Sequence, residues 1–394
     1  MAATTVERIR DAALELFSSC WLESVSVAQI CRRAGVSNGV YYRYYRTKDD
    51  LFVYLLDDFL TRFGADLEAV GGETRSERLA SLVETVTGAA RRYAGQVTMF
   101  REGQYRRPVY EQRLRELYVT TLQRVLGRSV SEAEYLFALS GLRFVATRSL
   151  YHDIETDNEL LQRIVEKGVF PEQREVRLEE ALPPPEPEGG PQQEPQSGAP
   201  QQKPQSRTLQ RERPADSGEA FVAAGLRLLG KQDFFNVQVT DIAREAGFSV
   251  GTFYKRFESK EHFLAEVVQV IGRRTRHYLT LHAPDNGTRL DRELLGMWNF
   301  LTYFGHHREY YDIVREAEFV VPEAVKAYYD AFEHGYIGTL AGYPATQRPL
   351  VANFLMGLSH YLGIEVLFSD RVTDPLKLIE ELGELLAHGI GDTV

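Results

Sequence analysis

Apolar residues recur at three- and four-residue spacing along most of this chain. Ile9, Ala12, Ala13, Leu16 and Phe17 form one such stripe, and Phe221, Ala224, Leu228 and Leu229 form another. That spacing is the period of an amphipathic helix with one face turned to a core. No segment carries the strict alternation that marks a half-buried strand. The stretches Ser131 to His152 and Leu350 to Ser369 are long and richly apolar, which predicts helices buried on more than one side. Asp157 to Lys167 and Asp374 to His388 predict shorter closing helices. The pattern therefore predicts an all-α protein.

The chain also repeats itself. Ile30, Arg32, Ala34, Gly35, Ser37, Gly39, Tyr42 and Lys48 reappear 212 positions later as Ile242, Arg244, Ala246, Gly247, Ser249, Gly251, Tyr254 and Lys260. The match continues from Phe100 to Val314 at an offset of 214 and from Leu139 to Leu355 at 216, so small loop insertions separate the copies. An internal repeat of this length means two units of one architecture. Between them, Ala181 to Gln205 holds eight of the sixteen prolines and almost no apolar side chain. Such a stretch has too little to bury to order itself, and it reads as a linker.

Within the repeated phrase the local chemistry is specific. Ser26 can cap a helix whose inward positions are Val27, Ile30 and Cys31. Ala34-Gly35-Val36 then supplies a tight turn in which Gly35 is free to take a positive φ. Ser37 caps a second short helix, "NGVYYRYY". Two short helices across a glycine turn form a helix-turn-helix, whose second helix enters the major groove. Asn38 and Val40 are placed to reach base edges, and Tyr42 and Arg43 to hold phosphates. Thr47 caps a further helix with Asp50 at the capping-box position, and Lys48 adds a cation to its first turn. Tyr41, Tyr45, Phe253 and Phe257 alternate with these positions and read as core.

"ICRRAGVSNGVYYRYYRTKDDLF" and "IAREAGFSVGTFYKRFESKEHFL" resemble the DNA-binding domain of tetracycline-repressor-type (TetR/AcrR) transcriptional regulators over about fifty residues in each copy. The resemblance implies a three-helix DNA-binding domain followed by a divergent helical domain that holds a small-molecule effector and dimerises through its last two helices. By motif position it implies DNA contacts at Ser37, Asn38, Val40, Tyr42, Arg43 and Lys48, and at Ser249, Val250, Thr252, Tyr254, Lys255 and Lys260. It implies no cofactor, and repression relieved by the effector. This chain departs from the motif at Tyr45, where Phe is usual, at Cys31, where Ala is usual, and at Gln238, where Ser or Thr is usual. Gln238 weakens the expected cap.

Composition sets the bounds. The 394 residues carry 46 basic and 56 acidic side chains, a net charge of −10, which argues against indiscriminate adhesion to nucleic acid or to an anionic membrane but leaves room for a local basic patch. Charges interrupt the N-terminal apolar stretch, and no run is long enough to cross a bilayer, so the expectation is a cytoplasmic protein with no membrane partner. Cys20 and Cys31 read as buried free thiols. No phosphate-binding glycine loop, nucleophile elbow or H-E-x-x-H occurs, so no enzyme is expected.

The expected organisation is a DNA-binding domain over 1–50, a regulatory domain over 51–172, a linker over 173–214, a second DNA-binding domain over 215–262 and a second regulatory domain over 263–394. The two units are expected to pack as an intramolecular pseudo-dimer on a double-stranded operator, reading two non-identical half-sites with unlike recognition helices. Two alternatives stay open: whole chains dimerise with four DNA-binding domains, or one helix-turn-helix has become a protein-interaction module. In the sensing half, Trp298, Tyr303, Phe304, His307, Tyr310 and Tyr311 are candidates to line an apolar pocket, against the plainer reading of aromatic core. Arg101-Glu102 and Arg315-Glu316 recur and suggest an ion pair inside each unit. His306, His307, Glu316 and Glu318 fit no established metal-ligand spacing, so no metal is expected.

Overall fold

Short capped helices begin each half. Thr4 with Glu7, Ser26 with Gln29 and Thr47 with Asp50 close capping boxes, in which side chain and backbone satisfy each other's free donors at a helix start. They open α1 (Thr5–Phe17), α2 (Val27–Ala34) and α4 (Lys48–Glu68), and Ser37 caps α3 (Asn38–Tyr41). Next come α5 (Arg75–Arg92), α6 (Ala94–Arg106), α7 (Pro108–Leu126), α8 (Glu132–Tyr135), a π turn (Leu136–Ser140), α9 (Gly141–Arg148) and α10 (Asn158–Lys167). The computed structural model describes residues 3–151, 154–171, 216–284, 286–369 and 371–391. The expected linker, 173–214, lies outside the described residues.

The second half repeats the order: α11 (Ser217–Leu229), α12 (Val239–Ala246), α13 (Val250–Arg256), α14 (Lys260–Leu281), α15 (Arg289–His306), α16 (Arg308–Val320), α17 (Pro322–Ile337), α18 (Arg348–Phe368) and α19 (Pro375–His388). Among the described residues no strand occurs. The predicted closing helices are α10, capped by Asp157, and α19, capped by Asp374.

The halves join through their last helices. α9 crosses α18 so closely that a Cβ on Gly141 would overlap the Phe354 ring and one on Gly357 would overlap Phe144. These glycines are equivalents in the repeat, each covered by a phenylalanine of the other half. Arg148, buried at this crossing, donates to Asn353 Oδ1 at 3.1 Å and pairs with Asp330 at 3.0 Å. The ends of α10 and α19 clasp reciprocally: the Val169 N–H donates to Leu386 O at 2.7 Å, and the Ile390 N–H to Val165 O at 2.9 Å. Matched patches that exchange equivalent contacts are the signature of two-fold association, here made within one chain. α18 is long and apolar enough to cross a membrane, but most of it is buried inside the protein.

Candidate nucleic-acid interface

In each DNA-binding domain a left-handed glycine sets the angle between the second and third helices. Gly35 closes α2 at φ 65° and Gly247 closes α12 at φ 75°, a region that costs other L-residues Cβ strain. Ser37 then accepts from the Val40 N–H at 3.4 Å, and Ser249 from the Thr252 N–H at 3.1 Å. Tyr41, Tyr45, Phe253 and Phe257 are buried beneath the third helices, as their alternation implies. At Gln238 the box is held by Asp241, which accepts from the Gln238 N–H at 3.4 Å.

The outward face carries most of the candidate contacts. Ser37, Asn38, Arg43, Ser249, Val250 and Lys255 are exposed, as are Tyr42 (56%) and Tyr254 (54%), unusually open for their size. Val40 and Thr252 are half-buried. Arg46 and Arg256 are also exposed beside these helices, and sequence reasoning did not single them out. Lys48 and Lys260 are turned inward. Lys48 Nζ donates to Leu22 O at 2.6 Å, while Lys260 Nζ lies 4.1 Å above the Phe234 ring and burial lowers its pKa.

A second feature joins each DNA-binding domain to the helices above it. Both carboxylate oxygens of Glu102 on α6 accept from the Leu22 N–H, at 2.9 and 3.1 Å. Both oxygens of Glu316 on α16 accept from the Phe234 N–H, at 2.8 and 2.9 Å. Leu22 and Phe234 are equivalent positions in the loop between first and second helices. Burial pushes both carboxyls up to about 7, although the backbone donors oppose the shift. The expected pairing of adjacent residues does not form. Arg101 instead pairs with Glu318 of the other half, and Arg315 sits 4.9 Å above the Tyr105 ring. Neighbouring positions on a helix point about 100° apart and do not face each other. Equivalent glutamates in the two copies were the available signal.

Beyond these latches a cavity of about 400 Å³ opens in the second half among α14, α15, α17 and α18. Of the six candidate pocket residues, Phe304 and Tyr311 line it. His307 stacks on Tyr310 with Tyr303 tilted against both, outside its lining, and Trp298 packs against the core. Cys31 is buried, but Cys20 is exposed, against expectation, because it follows the end of α1 in a surface turn. Among the described residues no cluster of three metal-ligating side chains occurs.

The family model of bacterial regulatory proteins of the tetR family matches twice, at residues 9–55 and 221–267. A 51-residue stretch is 43% identical to the uncharacterized HTH-type transcriptional regulator YwcC of Bacillus subtilis (strain 168), covering 13% of this chain and 23% of that protein. A 190-residue stretch is 25% identical to the uncharacterized HTH-type transcriptional regulator YdgC of the same organism, covering 46% of this chain and 95% of that one. Among solved structures, the fatty acid degradation regulator FadR of Bacillus halodurans aligns at 15% identity and TM-score 0.38, over 45% of this chain and 98% of that one. FadR of Bacillus subtilis, in complex with stearoyl-CoA, aligns at 16% and 0.38, over 44% and 98%.

Proposed function

The chain belongs to the tetR family of bacterial regulatory proteins, and we propose from this that it acts in the cytoplasm as a repressor that reads two non-identical half-sites and leaves its operator when a small-molecule effector binds. The observation that carries the reading is the pairing of two intact but unlike recognition helices in one body. The first presents Asn38, Tyr42 and Arg43, and the second Val250, Tyr254 and Lys255, each behind a capping serine and a left-handed glycine. A symmetric dimer reads a palindrome because its two helices are the same; helices with different side chains have no such reason. The association faces of the two halves already cover each other, which favours one chain per operator.

In this reading Tyr42, Arg43, Arg46, Tyr254, Lys255 and Arg256 hold phosphates. Asn38, Val40, Val250 and Thr252 face base edges, where short polar and apolar side chains discriminate. Lys48 and Lys260 support the α1–α2 and α11–α12 loops from within and reach phosphate only by leaving those partners. The test is selection of bound sequences from a random duplex pool by the purified chain at fixed salt. One enriched site with two unlike halves is expected, with Asn38→Ala relaxing selectivity in one half and Thr252→Ala in the other. A palindrome, or relaxation at the same base positions on both sides, refutes the reading.

A further inference from the structure

Resting on the effector-controlled reading above, we infer that the chain carries one effector site, in the second half alone, and that this site takes an organic anion with a bulky apolar body. The cavity there, about 400 Å³, falls within the roughly 300–1,000 Å³ that small-molecule sites occupy. The equivalent region of the first half keeps only about 60 Å³, room for water and not for an organic molecule.

Three substitutions between the copies account for the difference. Gly296 on α15 lines the cavity, and a Cβ there would meet nothing within 4 Å; its equivalent on α5 is Leu82, almost fully buried. Gly335 on α17 also lines the cavity with open space beside it, and its equivalent on α7 is Thr121, likewise buried. Arg276 on α14 corresponds to Gly64 on α4, where a Cβ would stand 3.4 Å from Leu117 of α7. Leucine, threonine and close helix packing thus fill in the first half what glycine and arginine hold open in the second. An empty cavity forfeits dispersion contacts along its lining, so keeping it open without an occupant has a continuing cost.

The lining says what the occupant is. Phe300, Phe304, Tyr328, Phe332 and Met356 make the walls, with Phe144 reaching in from the first half. Among them stand four arginines, and one of them, Arg276, has no carboxylate partner among the described residues. The Arg276 guanidinium lies 5.4 Å from the centre of the Phe332 ring. Arg315 rests on Tyr105 with Asp312 and Glu111 in electrostatic reach, and Arg292 is exposed at the edge. Among the described residues the one carboxylate in the lining, Glu293, is already engaged by Arg289 at 2.8 Å and by the Tyr336 hydroxyl at 2.9 Å. Burial lowers the Arg276 pKa, as it must for a cation partly withdrawn from water without a partner. A carboxylate or sulfonate would supply that partner through charge-assisted hydrogen bonds.

The test uses the full-length chain, calorimetry and three probes: 1-anilinonaphthalene-8-sulfonate, dodecanoate and its uncharged analogue dodecanol. One equivalent of the sulfonate is expected per chain, displaced by dodecanoate. Gly296→Leu with Gly335→Thr, which writes the first half's residues into the second, is expected to abolish binding while leaving operator affinity in the absence of ligand unchanged. Arg276→Gln is expected to weaken dodecanoate about tenfold or more and to leave dodecanol within about twofold. Two equivalents per chain, binding that survives the double variant, or equal loss of both dodecyl probes overturns the proposal. Anion binding as described with no change in operator affinity upholds the site and sinks the effector reading. Absent anion binding with normal operator recognition overturns the site and leaves the operator reading standing.

Discussion

Glu102 and Glu316 tie each DNA-binding domain to the helices above it, and their protonation gives a quantitative test of that connection. Each is buried, accepts two bonds from one backbone N–H, and has its pKa raised from 4.5 to about 7. A tenfold change in proton affinity corresponds to about 1.4 kcal/mol, so the shift corresponds to roughly 3 kcal/mol for each carboxyl. The sign follows from linkage. Between pH 4.5 and about 7 the folded chain keeps a proton that the unfolded chain has lost, so raising the pH through that window destabilises the fold. Glu102→Gln with Glu316→Gln removes the titration and leaves a carbonyl oxygen to accept from Leu22 and Phe234. His360 contributes the opposite slope, because burial holds it neutral well below 6.5, while Glu132 and Asp312 add to the loss. The informative quantity is therefore the difference between wild type and double variant at each pH, read from urea midpoints between pH 5 and 8 at fixed salt. The variant is expected to gain on wild type by up to roughly 3 kcal/mol per carboxyl as pH rises. A difference that stays constant across the range, or shrinks, refutes the reasoning.

Other consequences follow from the same contacts. Gly141→Leu forces a side chain into Phe354 and is expected to cost about 1–3 kcal/mol or more by overpacking, read as a lowered thermal midpoint, with Gly357→Leu behaving alike from the other side. Arg148→Ala strips Asp330, Glu333 and Asn353 of a buried cross-half partner; a loss of about 3 kcal/mol is expected in urea denaturation, with the two halves melting less cooperatively. Arg43→Ala and Lys255→Ala should each lower the slope of log affinity against log salt by about 1. In operator titrations each should weaken one half-site more than the other.

How far the sequence could be read depended on how local each feature is. The helix-turn-helix units were legible because cap, turn and alternation all act within a few residues: Ser37 and Ser249 cap, Gly35 and Gly247 turn left-handed, and Tyr41, Tyr45, Phe253 and Phe257 go inside. The predicted closing helices also survive, since Asp157 and Asp374 announce them. The sensing half was opaque for a physical reason. An aromatic at helical spacing obeys the same burial rule whether it faces another side chain or an empty cavity, so Trp298 and Phe304 look alike in sequence and only Phe304 reaches the cavity. Long-range pairing is hidden for a related reason. Arg101 and Glu102 are adjacent in the chain, yet one reaches across the pseudo-two-fold to Glu318 and the other down to Leu22. What the sequence does carry is the difference between its copies. Two folds that agree in their caps and turns but exchange Gly296 for Leu82, Gly335 for Thr121 and Arg276 for Gly64 are under different demands at those positions. Holding a cavity open is the demand that all three exchanges serve together.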